Sequence, residues 1–583
     1  MKRLLSYMKN YKKESILGPL FKMLEASFEL FVPLVVASMV DRGIGHGDIG
    51  YVLRMGGLLI ALGLIGLACS LTAQYFAAKA AVGMSTALRN DLFAHIGGLS
   101  YREIDSIGTS TLITRMTSDI NQVQNGVNMT LRLLLRSPFV VFGAMIMAFT
   151  VDGPVAMVFA LTIPVLCLVV FGILLISMPL YKKVQRQLDR VLLTTRENLL
   201  GVRVIRAFNR QENERDTFEK ENGALVHLQV FVGKISALLN PVTYVIINLA
   251  TVAVIWRGGL RVDSGAISQG QVIALVNYMS QILVELVKMA NLIILISKAM
   301  ACMNRVDGVL QVTSSMEDGR EKISAREMEE ADSPAVRFED VSFTFTGSQE
   351  PVLEDISFEA KAGETIGIIG GTGSGKTALV NLIPRFYDVN QGQVTIFGKN
   401  VKSFEMKELR SIVGVVPQKA VLFAGTLRDN MRWAKEDAAD QEIYRALEIA
   451  QARDFVDDKG EGLDLVIEQE GKNLSGGQRQ RLTIARALTG NPRILILDDS
   501  ASALDFATDA RLRKALRHST EGMTVFIVSQ RAASIKQADR ILVLDDGKLA
   551  GQGTHKELLK NCDLYREICL SQLTREEVER DEQ

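Results

Sequence analysis

The chain offers little support for metal or redox chemistry. Its 583 residues include five cysteines (Cys69, Cys167, Cys302, Cys562 and Cys569), scattered and without a C-x-x-C pair. Metal-ligand spacing and a disulfide framework are both unsupported. Charge of one sign is missing too. The 66 basic residues balance 66 acidic ones, and a formal net charge of zero provides no global field for nucleic acid or acidic partners. A cleavable leader is not expected. Lys2, Arg3, Lys9, Lys12 and Lys13 open the chain, but the apolar run behind them is too long for a leader's core and lacks a small-residue cleavage site.

What is present is apolar residue, at 48% of the chain against 23% charged. The mean hydropathy of +0.17 averages two populations. Long apolar runs fill residues 1–302, and the remainder reads as a soluble α/β domain. A membrane helix needs about 20 mostly apolar residues. Six segments qualify, near 16–38, 53–79, 133–150, 155–178, 236–256 and 270–297. The connections near 41–52, 151–154 and 258–268 are short; those near 80–132 and 179–235 are long and charged. The long ones carry Arg89, Arg102, Arg115, Lys182, Lys183, Arg186, Arg190, Arg203, Arg206 and Arg210, which places them and the amino terminus on the cytoplasmic side. The predicted architecture is an all-α six-helix transmembrane domain whose helices extend into the cytoplasm and turn there. Ser100–Gly108 and Glu197–Asn209 are candidate contact segments at the turns, or simply soluble helices.

Charge within a span is costly and calls for a partner. Glu25 and Glu29 share a face of the first span, and Glu285 and Lys288 form an i, i+3 pair in the sixth. A polar translocation path and simple interhelical pairing both account for them. Phe28, Tyr278, Met279 and Met289 suit an adaptable apolar pocket, and core packing suits them equally.

The apolar runs stop at a polar linker, residues 303–334, and strand patterning begins at Val336–Phe338 and Val341–Phe345. The strand Glu364–Ile369 then runs into Gly370-Gly371-Thr372-Gly373-Ser374-Gly375-Lys376-Thr377, with a helix expected from Ala378. This is a phosphate-binding P-loop in its strand–loop–helix setting. Its backbone N–H groups cradle phosphate, Lys376 faces the β/γ-phosphates, and Thr377 offers its hydroxyl to Mg²⁺. Downstream, the apolar strand Ile494–Leu497 delivers Asp498, whose carboxylate suits the Mg²⁺ shell. These two motifs alone describe a P-loop nucleoside triphosphatase with Mg²⁺ as its metal.

Leu474-Ser475-Gly476-Gly477-Gln478, shortly before that strand, resembles the signature of ABC ATPases. With the six preceding spans, the chain is similar over nearly its whole length to the ABC exporter family, as a half-transporter of type IV fold. The resemblance implies an α/β ATPase domain over 335–583. Gln418, after Val416-Pro417, takes the Q-loop position beside Mg²⁺. Phe345 takes the position of the aromatic that stacks on adenine, and Ser502-Ala503-Leu504-Asp505 that of the D-loop. It further implies that two ATPase domains pair head to tail, each ATP lying between one P-loop and the other signature, with Ser100–Gly108 and Glu197–Asn209 as coupling helices.

Three positions depart from the family pattern. The glutamate expected after the metal-binding aspartate is Asp499, one methylene shorter. The switch histidine is replaced by Gln530, which hydrogen-bonds but carries no charge. Gln469 stands where a glutamate usually precedes the signature. A 1 Å misplacement costs about 10²-fold in a positioned reaction, and a lost charge stabiliser about 10²–10³-fold. The pattern resembles the degenerate-site subunit of heterodimeric bacterial multidrug exporters, and tolerated drift in a slow homodimer is the alternative. That resemblance implies a plasma-membrane partner of a second half-transporter, moving amphipathic small molecules, with no nucleic acid involved. A lipid exporter half and an ATP-gated regulatory subunit remain open; a peptide exporter half is disfavoured, since no peptidase domain is expected before the first span.

Overall fold

The computed structural model describes residues 2–323, 327–328, 333–500, 504–519 and 522–582. They fall into two units: residues 1–97 with 110–312, and residues 98–109 with 313–583.

The first unit is helical. Its long helices are α1 (Ser6–Ile44), α2 (Ile49–Gly97), α4 (Thr109–Val151), α5 (Gly153–Leu200), α7 (Gln211–Asp263) and α8 (Gln269–Leu310). Two short helices stand at the turns between them: α3 (Tyr101–Ile107), which belongs to the second unit, and α6 (Val202–Ala207). The six long helices are each apolar enough to cross a membrane. At about 1.5 Å per residue, the 48 residues of α5 run about 72 Å, more than twice a hydrocarbon core, so the apolar runs mark only part of each helix. Small residues such as Ala26, Ala37, Ala144, Ala148 and Ala274 form much of the interior, where backbones approach closely. Tyr278 and Met279 are fully buried, and the Tyr278 hydroxyl donates to Leu30 O at 2.7 Å, so for these two the packing role holds.

Several charges inside this bundle are paired. Arg136 donates to Glu285 and to Glu29, each at 2.5 Å; Ser137 and Lys288 complete the shell of Glu285, each at 2.9 Å. Counted from the helix ends at Ile44, Val151 and Gln269, the three central groups lie at one level, about 22–24 Å along. Glu285 and Lys288 therefore do pair, but around an arginine from a third helix. Lys22 likewise donates to Glu25 at 2.6 Å.

Among the described residues, the second unit is built on three sheets. β1 (Val336–Phe343), β2 (Leu353–Ala360), β4 (Gln391–Ile396) and β5 (Lys399–Asn400) form an antiparallel layer ordered β2-β1-β4-β5. A six-stranded sheet follows the order β12-β11-β3-β10-β9-β6. It comprises β3 (Thr365–Gly370), β6 (Val413–Val416), β9 (Ile494–Asp498), β10 (Thr524–Val528), β11 (Arg540–Asp545) and β12 (Lys548–Gly553). All its pairings are parallel except β11 with β12. Both faces of a parallel sheet are covered, which explains the unbroken apolar run of β9. The short pair β7 (Gly425–Thr426) and β8 (Val466–Ile467) lies among helices. Those that matter below are α9 (Lys376–Leu382), α10 (Leu427–Arg432), α11 (Asp440–Ile449), α12 (Gly476–Thr489), α13 (Phe506–Ser519) and α14 (Ala532–Ile535), with α15 (His555–Asn561), α16 (Asp563–Gln572) and α17 (Arg575–Glu582) at the end. One core lies beneath β1–β4 and α9, and another gathers α10, α11 and α12.

Candidate nucleotide site

Parallel strands deliver their carboxyl ends to one edge, where ligands of α/β proteins bind. Here the register sets Val528 level with both Ile368 and Asp498, and Val416 level with Leu497. Four loops therefore emerge together: 370–377 after β3, Asp499 after β9, Ser529-Gln530 after β10, and Gln418 after β6. One cleft is lined by Phe345, Val352, Thr372, Gly373, Ser374, Gly375, Lys376, Thr377, Ala378, Gln418, Asp498, Asp499, Val528, Ser529 and Gln530.

The loop geometry demands glycine where the backbone turns. Gly375 has φ of 92°, and a Cβ there would stand 2.8 Å from Val352 O. A Cβ on Gly370 would meet Leu544 O at 2.1 Å. α9 begins at Lys376, so its amino terminus faces the loop. Lys376 is buried and donates to Gly370 O at 3.0 Å, Gly371 O at 2.5 Å and Ser374 Oγ at 3.3 Å. Burial lowers its pKa, with Asp499 and Asp498 pulling it back up. A desolvated cation held by neutral acceptors fits a phosphate.

The Thr377 hydroxyl donates to Asp498 Oδ1 at 3.1 Å, and Gln418 Nε2 to Asp499 Oδ2 at 3.4 Å. Burial raises the pKa of both aspartates, and the charge of Asp499 adds to the shift of Asp498. Two adjacent half-desolvated carboxylates beside a hydroxyl suit a divalent cation, whose charge relieves both effects. Thr377, Gln418 and Asp498 are the residues that would hold it. Asp499 has φ of 45°, a left-handed conformation that aspartate tolerates better than most side chains.

Phe345 lies just beyond β1, edge-on to Phe343 at 4.8 Å and to Tyr387 at 5.4 Å between ring centres. No local sequence feature marks Tyr387. Its hydroxyl donates to Asp105 of α3 at 2.7 Å, its ring meets Tyr101, and Arg102 Nε donates to Thr346 Oγ1 at 2.7 Å. The Ser100–Gly108 segment thus touches the edge of the candidate adenine position. Its helix start was legible: Ser100 and Glu103 form a capping box.

The signature residues Leu474–Gln478 lie outside this cleft, as does Asp505. Ser475 caps α12 with a capping box to Gln478, and Ser475 and Gly476 are exposed at that helix start. Asp505 Oδ1 accepts from Thr508 N at 2.9 Å at the start of α13. Ser502 and Ala503 lie outside the described residues. Gln469 opens a short turn in which Glu470 has φ of 61°. Among sequence-silent residues, Val352 joins the cleft, and Arg136 centres the buried charge cluster. An arginine at the rim of an apolar run carries no local mark of its distant partners.

Residues 15–286 match the family described as ABC transporter transmembrane region, and residues 353–502 that described as ABC transporter. The chain is 36% identical over 569 residues to an uncharacterized ABC transporter ATP-binding protein of Mycobacterium tuberculosis, covering 97% of each. It is 36% identical to the uncharacterized ABC transporter ATP-binding protein YfiB of Bacillus subtilis, covering 99% of each. An ATP-dependent lipid A-core flippase of Desulfotalea psychrophila is 32% identical, over 81% of this chain and 82% of that one. A bacterial Atm1-family ABC exporter with ATP bound superposes with a TM-score of 0.76 at 23% identity, over 96% of this chain and 98% of that one.

Proposed function

This chain is a half-transporter of the ABC exporter family, and from that premise we propose that it is the hydrolysis-impaired subunit of a heterodimeric plasma-membrane exporter of amphipathic small molecules. The observation that carries the reading is the composition of one cleft. Every phosphate-binding residue is there, Lys376 and the 370–377 loop above all, beside Asp499 and Gln530 at the two positions that act on water and γ-phosphate. A divalent cation held by Thr377 and Asp498 would neutralise phosphate charge. Lys376 and α9 bind the phosphates, and Phe345 stacks on adenine. Asp499 is short for holding an attacking water, and Gln530 offers a neutral hydrogen bond where charge develops.

The signature, remote from this cleft, serves the other subunit's ATP. Pairing is supported by apolar surface that a single chain leaves open. Around α6, Leu200 and Phe208 are 78% and 73% exposed. In the ATPase unit, Phe423 stacks on Trp433, which is 66% exposed. Monomeric proteins seldom leave such groups in water. ATP closes the paired cytoplasmic ATPase domains, the coupling helices carry that motion to the spans, and the spans open outward. Hydrolysis, mainly at the partner's site, resets them. The kinship to a lipid A-core flippase favours a second reading of the substrate, a lipid amphipath.

The test is ATPase activity of the full chain alone in lipid nanodiscs, then with a partner subunit that has the glutamate and histidine. Weak activity alone and fast activity together are expected. Vigorous hydrolysis by the chain alone contradicts the proposal.

A further inference from the structure

The switch segment is gripped from behind by the last helices of the chain. After β10, Ser529 N donates to Ile368 O at 3.0 Å, and α14 begins at Ala532. A first-turn N–H has no acceptor within its own helix. Gln572, the last residue of α16, supplies one: Ala532 N donates to its Oε1 at 2.8 Å. The same side chain's Nε2 donates to Gln530 O at 2.8 Å. One amide therefore brackets Arg531 and fixes the backbone on both sides of it. Glutamate in its place lacks the donor, and leucine lacks both groups.

The elements behind Gln572 are anchored. Tyr565 and Cys569 of α16 are fully buried, as is Val578 of α17. His555 Nδ1 meets the Tyr565 hydroxyl at 2.8 Å, and Asp581 pairs with Lys536, the residue just after α14. The C-terminal helices thus hold the switch element at its entry and at its exit.

We propose that Gln572 is a positioning residue for the γ-phosphate contact, holding the Gln530 backbone so that its side chain reaches the terminal phosphate of ATP. The proposal rests on Gln530 occupying the switch position. Only the terminal phosphate separates ATP from ADP, so a misplaced Gln530 weakens ATP binding alone. Gln572 is exposed, water competes for both hydrogen bonds, and the expected loss is about fivefold.

The full chain in detergent, titrated with fluorescent ATP and ADP analogues without Mg²⁺ so that nothing turns over, tests this. Gln572→Leu and Gln572→Glu should each weaken ATP binding about fivefold and leave ADP binding unchanged. The double variant Gln530→Ala/Gln572→Leu should bind ATP no more weakly than Gln530→Ala, since both changes remove one contact. Equal losses for both nucleotides, or losses that add in the double variant, overturn the proposal. If Gln530→Ala lowers the ATP preference while both Gln572 variants are silent, the clamp alone is wrong. If Gln530→Ala leaves the preference untouched, the switch reading falls and the clamp with it.

Discussion

Asp498 and Asp499 show how a binding site is kept at the expense of stability. Burial raises both pKa values, so the folded chain holds its protons to higher pH than the unfolded chain does. Stability therefore falls as pH rises from the ordinary carboxylate range near 4 through the raised values. Asp498→Asn should raise the thermal midpoint of the nucleotide-free protein at pH 7 and lose that advantage near pH 4. The same variant should abolish the further rise that ATP with Mg²⁺ gives the parent. Thermal scans at both pH values check this, and an unchanged midpoint at pH 7 refutes it. At this scale the sequence was informative wherever a role is local. The 370–377 loop, Asp498, Asp499 and Gln530, which line one cleft, each stand in a motif readable within a few residues. Arg136 and Gln572 do not, because each acts on groups brought near only by folding.

Elements follow the same division. The alternation of apolar and charged stretches locates the six long helices, yet α4 begins at Thr109, far ahead of the apolar run at 133–150. Its part ahead of that run is held by a few buried apolar residues, Leu112, Ile120 and Val123, and by polar pairing, such as Asp119 with Arg305 at 2.5 Å and with Arg115 at 2.9 Å, which together make no continuous apolar run. The short α3 is a sharper case. Seven residues are too few to be stable alone. Its capping box and the Tyr101 ring against Phe386, at 4.7 Å, hold it on the ATPase unit. Tyr387 joins it to Phe345, giving 98–109 a direct connection to the Phe345 side of the cleft. Tyr387→Phe deletes the hydrogen bond to Asp105 and keeps both rings packed. Basal ATPase should be retained within about twofold, since the lost bond is worth about 1 kcal/mol and touches no phosphate. Transport per ATP in proteoliposomes should drop several-fold. An unchanged ratio would show that α3 does not work through this tyrosine.

For the whole molecule, the proposed function makes binding and hydrolysis separable, because largely different residues carry them. On that reading Lys376, Thr377, Gln418 and Asp498 bind, Gln530 adds a contact to the terminal phosphate of bound ATP, and Asp499 acts after binding, on the attacking water. ATP at this cleft should persist through cycles in which the partner's site turns over. A retained ATP holds the paired ATPase domains partly together, so this site biases the conformational equilibrium rather than driving it. Asp499→Asn should then barely change turnover of the assembled pair, while the corresponding Glu→Gln change in the partner nearly abolishes it. Reversion by Asp499→Glu with Gln530→His raises hydrolysis only if the signature facing this cleft, which belongs to the partner, is intact. The decisive measurement traps the assembled pair during turnover and identifies the nucleotide at each site. Intact ATP beside Lys376 and ADP opposite is the expected asymmetry, and Lys376→Ala should lower transport per ATP more than it lowers total hydrolysis. ADP in equal amounts at both sites would mean that Asp499 and Gln530 sustain turnover, and the division of labour between the two chains would not exist.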